Sequence, residues 1–263
     1  MVSTRLRLGV VSYLNAEPLV FGLEKDPAFV LVRDRPARIA ALLAEGRVDL
    51  GMIPSAAYAD GDYAIVPGVA IASRGPVRSV RVYHRGPLAD ARRVALDTSS
   101  RTSVVLAQVL LREILGREPE YVRSEPDLDV MLAQSDAALM IGDPALYRPA
   151  DVPSLDLGEE WTRRTGLPFV YAFWAGPVGA VSAEKVARLQ QALAQGLRAL
   201  PEIASSYNGL GAQRAALNEG YLRANIHYGF GPEEQAGLRE FYRRAHEQGL
   251  IPRVPELRLH GDR

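Results

Sequence analysis

Three short stretches carry most of the polar side chains that a small ligand could meet. "SYLNAEPL" (12–19) sets Tyr13 and Asn15 at the end of a strand-like run. "LDTSSRTS" (96–103) offers the hydroxyls of Ser99, Ser100, Thr102 and Ser103, with Arg101 among them, where a strand gives way to an apolar helix. "LMIGDPAL" (139–146) puts Asp143 at another strand end. Hydroxyls and an amide beside the N-terminus of a helix suit a carboxylate or phosphate, because the free N–H groups and the helix dipole both favour negative charge there. Each stretch also has a plainer reading. Asn15, one hydroxyl of 96–103, and Asp143 ahead of Pro144 are all good helix caps. Four hydroxyls and an arginine exceed what one cap needs, so the 96–103 loop is expected to take an anion. Its spacing is neither a Walker A nor a dinucleotide motif. "PFVYAFWA" (168–175) adds Phe169, Tyr171, Phe173 and Trp174. Most of these rings are expected in the core, with one or two, Tyr171 among them, free to stack on a flat ligand.

Other chemistries find no support. His84, His227, His246 and His260 are widely separated, with no HExxH spacing, and cysteine is absent, so no metal site is expected. No GxSxG elbow suggests a hydrolase. Lys plus Arg equals Asp plus Glu at 31 each, so no global field recruits nucleic acid or an anionic membrane, and an anionic ligand must be held by local features. No apolar run approaches the ~20 residues of a membrane span. "MVSTRLRLGVVSYLNAEPL" contains no long apolar h-region with a small-residue cleavage site, and a cytoplasmic location is expected.

The elements that must position these residues alternate strand and helix. "LRLGVV" (6–11), "FVLV" (29–32) and "VDLGMI" (48–53) read as strands. Between them lie a helix from about Ala16 to Leu23 and "RPARIAALLAEG", with Pro36 in a first turn and Gly46 at a stop. The order returns with "RRVAL" (92–96), the helix "TSVVLAQVLLREILG" (102–116), "EYVRS" (120–124) and "AALMIGDPALY" (137–147). "DLGMIPSAAY" and "ALMIGDPALY" are alike: an apolar strand, a proline-led turn, a tyrosine. Such repetition predicts an α/β protein of two similar lobes, each a mostly parallel sheet covered by helices. Crossings near 66–88 and 167–180 imply a discontinuous first lobe, 1–84 plus 175–263, enclosing a second, 85–174. The ligand is expected in the cleft between them, where strand C-termini and helix N-termini converge.

Together "SYLNAEPL", "ALDTSSRTS", "LMIGDPAL", "DLGEEWTRRTGLPFVYAFWA" and "LREFYRRAHEQGLI" resemble the chorismate dehydratase family of the futalosine route to menaquinone, over nearly the whole chain. The resemblance implies a periplasmic-binding-protein-like (type II) clam-shell serving as a cytoplasmic enzyme. Its reaction would turn chorismate into 3-[(1-carboxyvinyl)oxy]benzoate by loss of water, with no metal or organic cofactor. It further implies a catalytic role for Asn15 and substrate-carboxylate contacts from "GPVRS", notably Ser79, and from "SSRTS". Tyr13, Ser99, Ser100, Arg101, Thr102, Asp143 and Tyr171 complete the expected substrate contacts.

Three alternatives share the fold. The 1,4-dihydroxy-6-naphthoate synthase of the same route has an N-terminal motif resembling "SPCPNDTF" where this chain has "SYLNAEPL". A solute-binding protein would capture an anion without turning it over, and is expected to carry a signal peptide. A transcriptional effector domain would follow a helix-turn-helix, and none precedes the first strand here. The sequence carries no signal for oligomeric state.

Overall fold

The computed structural model describes residues 5–209 and 212–261. Its strands, in chain order, are Leu6–Val11 (β1), Phe29–Asp34 (β2), Leu50–Pro54 (β3), Tyr63–Ser73 (β4), Val80–His84 (β5), Arg93–Asp97 (β6), Glu120–Ser124 (β7), Ala137–Ile141 (β8), Ser154–Asp156 (β9) and Phe169–Pro177 (β10). The central strands β3 and β8 are buried at every position, as they must be when helices cover both faces of a sheet.

The strands form two five-stranded sheets, ordered β2-β1-β3-β10-β4 and β7-β6-β8-β5-β9. In each, the first three strands pair parallel. The fourth is antiparallel to both its neighbours. The two sheets are thus built alike, with four of five strands running one way. The odd strand in each case is the first one entered after a crossing between sheets. β1, β3, β6 and β8 all run towards the loops that carry the candidate residues. A chain crossing on that side enters the new sheet there and must run away from it.

Sheet membership differs from the division expected at 84/85 and 174/175. Residues 80–84 (β5) fall within the expected first lobe but pair in the second sheet. Residues 169–174 fall within the expected second lobe, yet β10 lies between β3 and β4 in the first sheet. The crossings are therefore 74–79 and the turn ahead of β10. The physical reason is the direction in which a crossing chain enters its new sheet, which local sequence patterns do not carry.

Packing fixes the first sheet's centre through aromatic rings. Phe169 meets Trp161, Tyr171 and Phe241 edge to face, with ring centroids 5.2, 4.8 and 5.0 Å apart. Phe173 packs edge to face on Tyr58 at 5.5 Å. Outside the cleft, Glu113 on the Thr102–Leu115 helix pairs with both Arg164 (3.2 Å) and Arg244 (2.9 Å). Arg244 sits on the Pro232–Glu247 helix, and its second partner is Glu240. No helix among the described residues is long and apolar enough to cross a membrane.

Candidate active site

The segment after β1 winds as a single 3-10 turn, Leu14–Ala16, and then one short helix, Glu17–Val20. The residue that precedes the short helix is Ala16, and neither turn has a side-chain cap. Asn15 therefore caps nothing. Its backbone is fixed instead from two sides: Leu14 N–H donates to Asp143 Oδ1 at 3.1 Å, and the Tyr228 hydroxyl donates to the Asn15 carbonyl at 3.1 Å. Asn15 Oδ1 is buried and has no hydrogen-bond partner among the described residues.

Asn15 lines a cavity between the sheets of about 50 Å³. Tyr13, Asn15, Ser79, Ser100, Thr102 and Tyr171 all line it, together with Ser103, Gly142 and apolar residues. None of its lining side chains among the described residues is charged. An anion held here meets hydroxyls, an amide and the head of the Thr102–Leu115 helix, the combination that favours negative charge without a cation.

Local geometry explains how each group arrives. Asp156, at the end of β9, accepts from Gly158 and Glu159 at the start of the next helix. It also accepts the N–H of Val77 at 3.0 Å and of Arg78 at 2.6 Å. This grip holds Arg78 at φ +63°, a left-handed conformation costly for a residue with a side chain, and so turns Ser79 inwards. The register of β10 on β4 slips between Val170 and Ala172, making Tyr171 the extra residue of a bulge, a device that re-aims side chains. The Tyr171 hydroxyl pairs with Ser73 Oγ at 3.0 Å, and burial drives its pKa well up. Gly158 lies beneath this pair, where an added Cβ would fall 2.6 Å from the Tyr171 oxygen.

The hydroxyls of 96–103 divide their work. Ser100 Oγ accepts from Ser103 N–H at 3.1 Å, in the first turn of the helix. Thr102 Oγ1 accepts from Ala56 N–H at 3.0 Å, a bond between the two sheets' loops. Ser99 is buried, with its hydroxyl 3.3 Å from the Tyr13 hydroxyl, but it stands behind Tyr13 rather than in the cavity wall. Below it Asp97 is fully buried: Oδ1 accepts from Ser99 N–H, Oδ2 has no partner among the described residues, and desolvation raises its pKa.

Like Ser99, two further expected contacts lie outside the cavity wall. Arg101 turns outwards and pairs with Asp60 at 2.6 Å, because an exposed ion pair keeps the guanidinium hydrated where the uncharged cavity would strip it. Asp143 neither caps the Gly142–Leu146 helix nor lines the cavity. It joins the lobes, accepting from Leu14 N–H and, at 2.5 Å, from the Tyr207 hydroxyl, while burial raises its pKa. Phe169, Phe173 and Trp174 are core. The groups that sequence reading missed are Tyr221, whose hydroxyl lies 2.7 Å from Ser79 Oγ, and the buried Asp97. No cluster of three His, Cys, Asp or Glu side chains is arranged to hold a metal among the described residues.

Solved structures share this architecture. A protein from Archaeoglobus fulgidus matches with a TM-score of 0.72 at 18% identity, covering 95% of this chain and all of that one. The alkanesulfonate-binding protein of Xanthomonas axonopodis pv. citri, bound to MOPS, matches at 0.68 and 16%, covering 95% of each chain. The fold is that of periplasmic binding proteins. In sequence, the chorismate dehydratase of Thermus thermophilus is 32% identical over 260 residues, 89% of this chain and 93% of that protein. A family model described as menaquinone biosynthesis matches residues 6–247, the span that carries every wall of the cavity, and the chain belongs to that family.

Proposed function

We propose that the protein is a chorismate dehydratase of menaquinone biosynthesis, a hydro-lyase converting chorismate into 3-[(1-carboxyvinyl)oxy]benzoate and water. The observation that carries this reading is the Asn15 side chain, its Oδ1 buried without a partner among the described residues, in a cavity that none of them lines with a charge, beside Ser79, Ser100, Thr102 and the head of a helix. Membership of the menaquinone family supports the substrate.

Chorismate is a dianion with a nearly flat ring. Breaking the ring C–O bond sends the hydroxyl out with its electron pair, and that hydroxide takes up a proton as water. Loss of the proton from the neighbouring ether-bearing carbon leaves its electron pair to complete an aromatic ring. The reaction is steeply downhill, so the protein must supply orientation and a donor for the departing hydroxyl, while the proton passes from carbon to a substrate carboxylate and on to the hydroxide. Asn15 Oδ1 lies against that C–H bond. A neutral amide is a feeble base, so its work is alignment of the C–H bond. Tyr13, Ser79, Ser100, Thr102 and Tyr171 are the substrate contacts, and helix-head N–H groups with hydroxyls hold a carboxylate. A biosynthetic enzyme acting on a small metabolite needs no export, and its place is the cytoplasm.

The test is incubation of purified protein with chorismate and mass spectrometry of the mixture. A product lighter by one water supports dehydration. Chorismate bound but recovered intact would make the protein a binder and refute the reading.

A further inference from the structure

Beside the cavity, the loop after β8 interleaves with the loop after β1. Gly142 lies against the Tyr13 ring, where an added Cβ would fall 2.7 Å from it. Next to this contact, Asp143 Oδ1 accepts the Leu14 N–H at 3.1 Å. Asp143 Oδ2 accepts from the Tyr207 hydroxyl at 2.5 Å, which fixes the angle of the carboxylate. Asp143 caps no helix and lines no part of the cavity, so neither plain role accounts for it. Its neighbour Gly142 does line the cavity, and so does Asn15, the residue after Leu14.

The turn that carries Asn15 is anchored from both lobes. Tyr228 donates to the Asn15 carbonyl at 3.1 Å, and the Tyr228 carbonyl in turn accepts from Ala70 N–H on β4 at 3.0 Å. This anchor belongs to the first sheet and holds wherever the second one stands. The bond from Asp143, two residues beyond β8, comes from the second sheet and forms only when the sheets stand this close. Other bonds across the cleft, Ala56 N–H to Thr102 Oγ1 and Ala37 N–H to the Ser99 carbonyl, leave the turn untouched. At about 50 Å³ the cavity falls well short of the ~300 Å³ of an ordinary small-molecule site, so the sheets part to admit a ligand and then close on it. Asn15 must return to its place at each closure, and a misplacement of ~1 Å costs about a hundredfold in rate. We infer that Asp143 is a positioning residue that takes the Leu14 N–H and so seats Asn15 against the substrate once the two sheets have closed. The inference rests on the dehydratase reading for its consequence in turnover, but not for the seating itself.

The seating is read in the full chain, without ligand and with saturating chorismate, from the exchange of the Leu14 amide hydrogen followed by NMR. In Asp143→Ala that exchange is expected to quicken about tenfold or more, while the paired amides of β1 keep parental rates. A Leu14 rate unchanged in both states overturns the inference whether or not chorismate is turned over. Equal quickening throughout β1 would mark general loosening and overturn it as well. In Asp143→Asn the amide oxygen still takes the Leu14 N–H while its NH2 donates to the Tyr207 oxygen, so exchange and kcat are expected within about threefold of the parent. An asparagine variant as impaired as the alanine one would show that charge matters rather than the acceptor, against the inference. In kinetics, Asp143→Ala is expected to lower kcat about 10- to 100-fold with KM changed less than about threefold. A raised KM at parental kcat would make Asp143 a binding contact instead. In an Asn15→Ala background the same change is expected to cost less than about threefold, since the group it seats is gone. Equal losses in both backgrounds overturn the inference. Should the alanine variant not fold, Asp143→Leu, of similar bulk and without an acceptor, carries the same expectations.

Discussion

Asn15→Asp isolates charge from shape. The amide side chain caps no helix, and the backbone around it is held by Asp143 and Tyr228 through main-chain atoms, which the substitution leaves in place. Folding is therefore expected to survive, with a melting temperature within about 3 °C of the parent, the shift for roughly 1 kcal/mol in a chain this size. The cavity has no cation among the described residues to neutralise a new carboxylate. A like charge about 6 Å from one substrate carboxylate, at an effective dielectric of about 20, costs roughly 3 kcal/mol, or about a hundredfold in affinity. Turnover falls further because the acceptor pattern changes as well. Burial raises the pKa of the new acid, so it is ionised at high pH and neutral at low pH. Product formation from chorismate is measured at about pH 8 and about pH 5.5, either side of that raised pKa, beside melting curves. The expected outcome is a deep loss of kcat/KM at the higher pH, partly relieved at the lower. Parental kcat/KM at the higher pH would refute the role given to Asn15, and a melting loss of about 10 °C would show that it is structural after all.

The remaining expectations can be checked on stability. Gly142 has φ +65°, and a Cβ there would lie 2.7 Å from the Tyr13 ring, so Gly142→Ala should cost at least about 1–2 kcal/mol and raise KM; a parental melt and KM would contradict this. Asp97 has a raised pKa in the folded protein, so its ionisation opposes folding and stability is lost as pH climbs from the unfolded value through the folded one. Asp97→Asn should be closest to the parent at about pH 4 and gain on it by about pH 8, and the opposite trend in urea titrations would refute the assignment. Glu240 is held at about 2 by Arg243 and Arg244, so its contribution is present above about 4.5 and lost as pH falls towards 2. Because these pairs are partly exposed, Glu240→Gln should cost only about 1 kcal/mol at about pH 7 and converge with the parent near about pH 2; a gap that persists there would show another cause.

Sequence patterns carried local structure well. β1 and β7 occupy the residues read as strands, and the helix read over 102–116 runs from Thr102 to Leu115, with Gly116 left-handed at its end. They also marked six residues that share the cavity wall, because loops at strand ends converge in this architecture. Partnerships across the chain were not legible. Arg101 had the right charge for an anion site and Asp143 the right place at a strand end, but Asp60, Leu14 and Tyr207 claim them, and Leu14 lies 129 residues from Asp143. Asn15 has the residue type and the position of a helix cap, yet the chain beyond it forms only one short turn, which takes no side-chain cap. Tyr221 sits 142 residues from Ser79, on a helix whose apolar residues are spread around its circumference, so no periodicity singled it out.

The uncharged lining also bears on how material flows through the enzyme. Dehydration removes a neutral molecule, so what enters and what leaves carry the same two carboxylates, and a wall of hydroxyls, an amide and helix-end dipoles attracts both equally. The product is planar and lacks one ring hydroxyl, a difference of about 1 kcal/mol in hydrogen bonding. Product is therefore a competitive inhibitor with an affinity within about tenfold of the substrate's. Throughput in the cell is then set by whichever reaction next consumes the aryl enol ether, and the dehydratase runs as fast as it is drained.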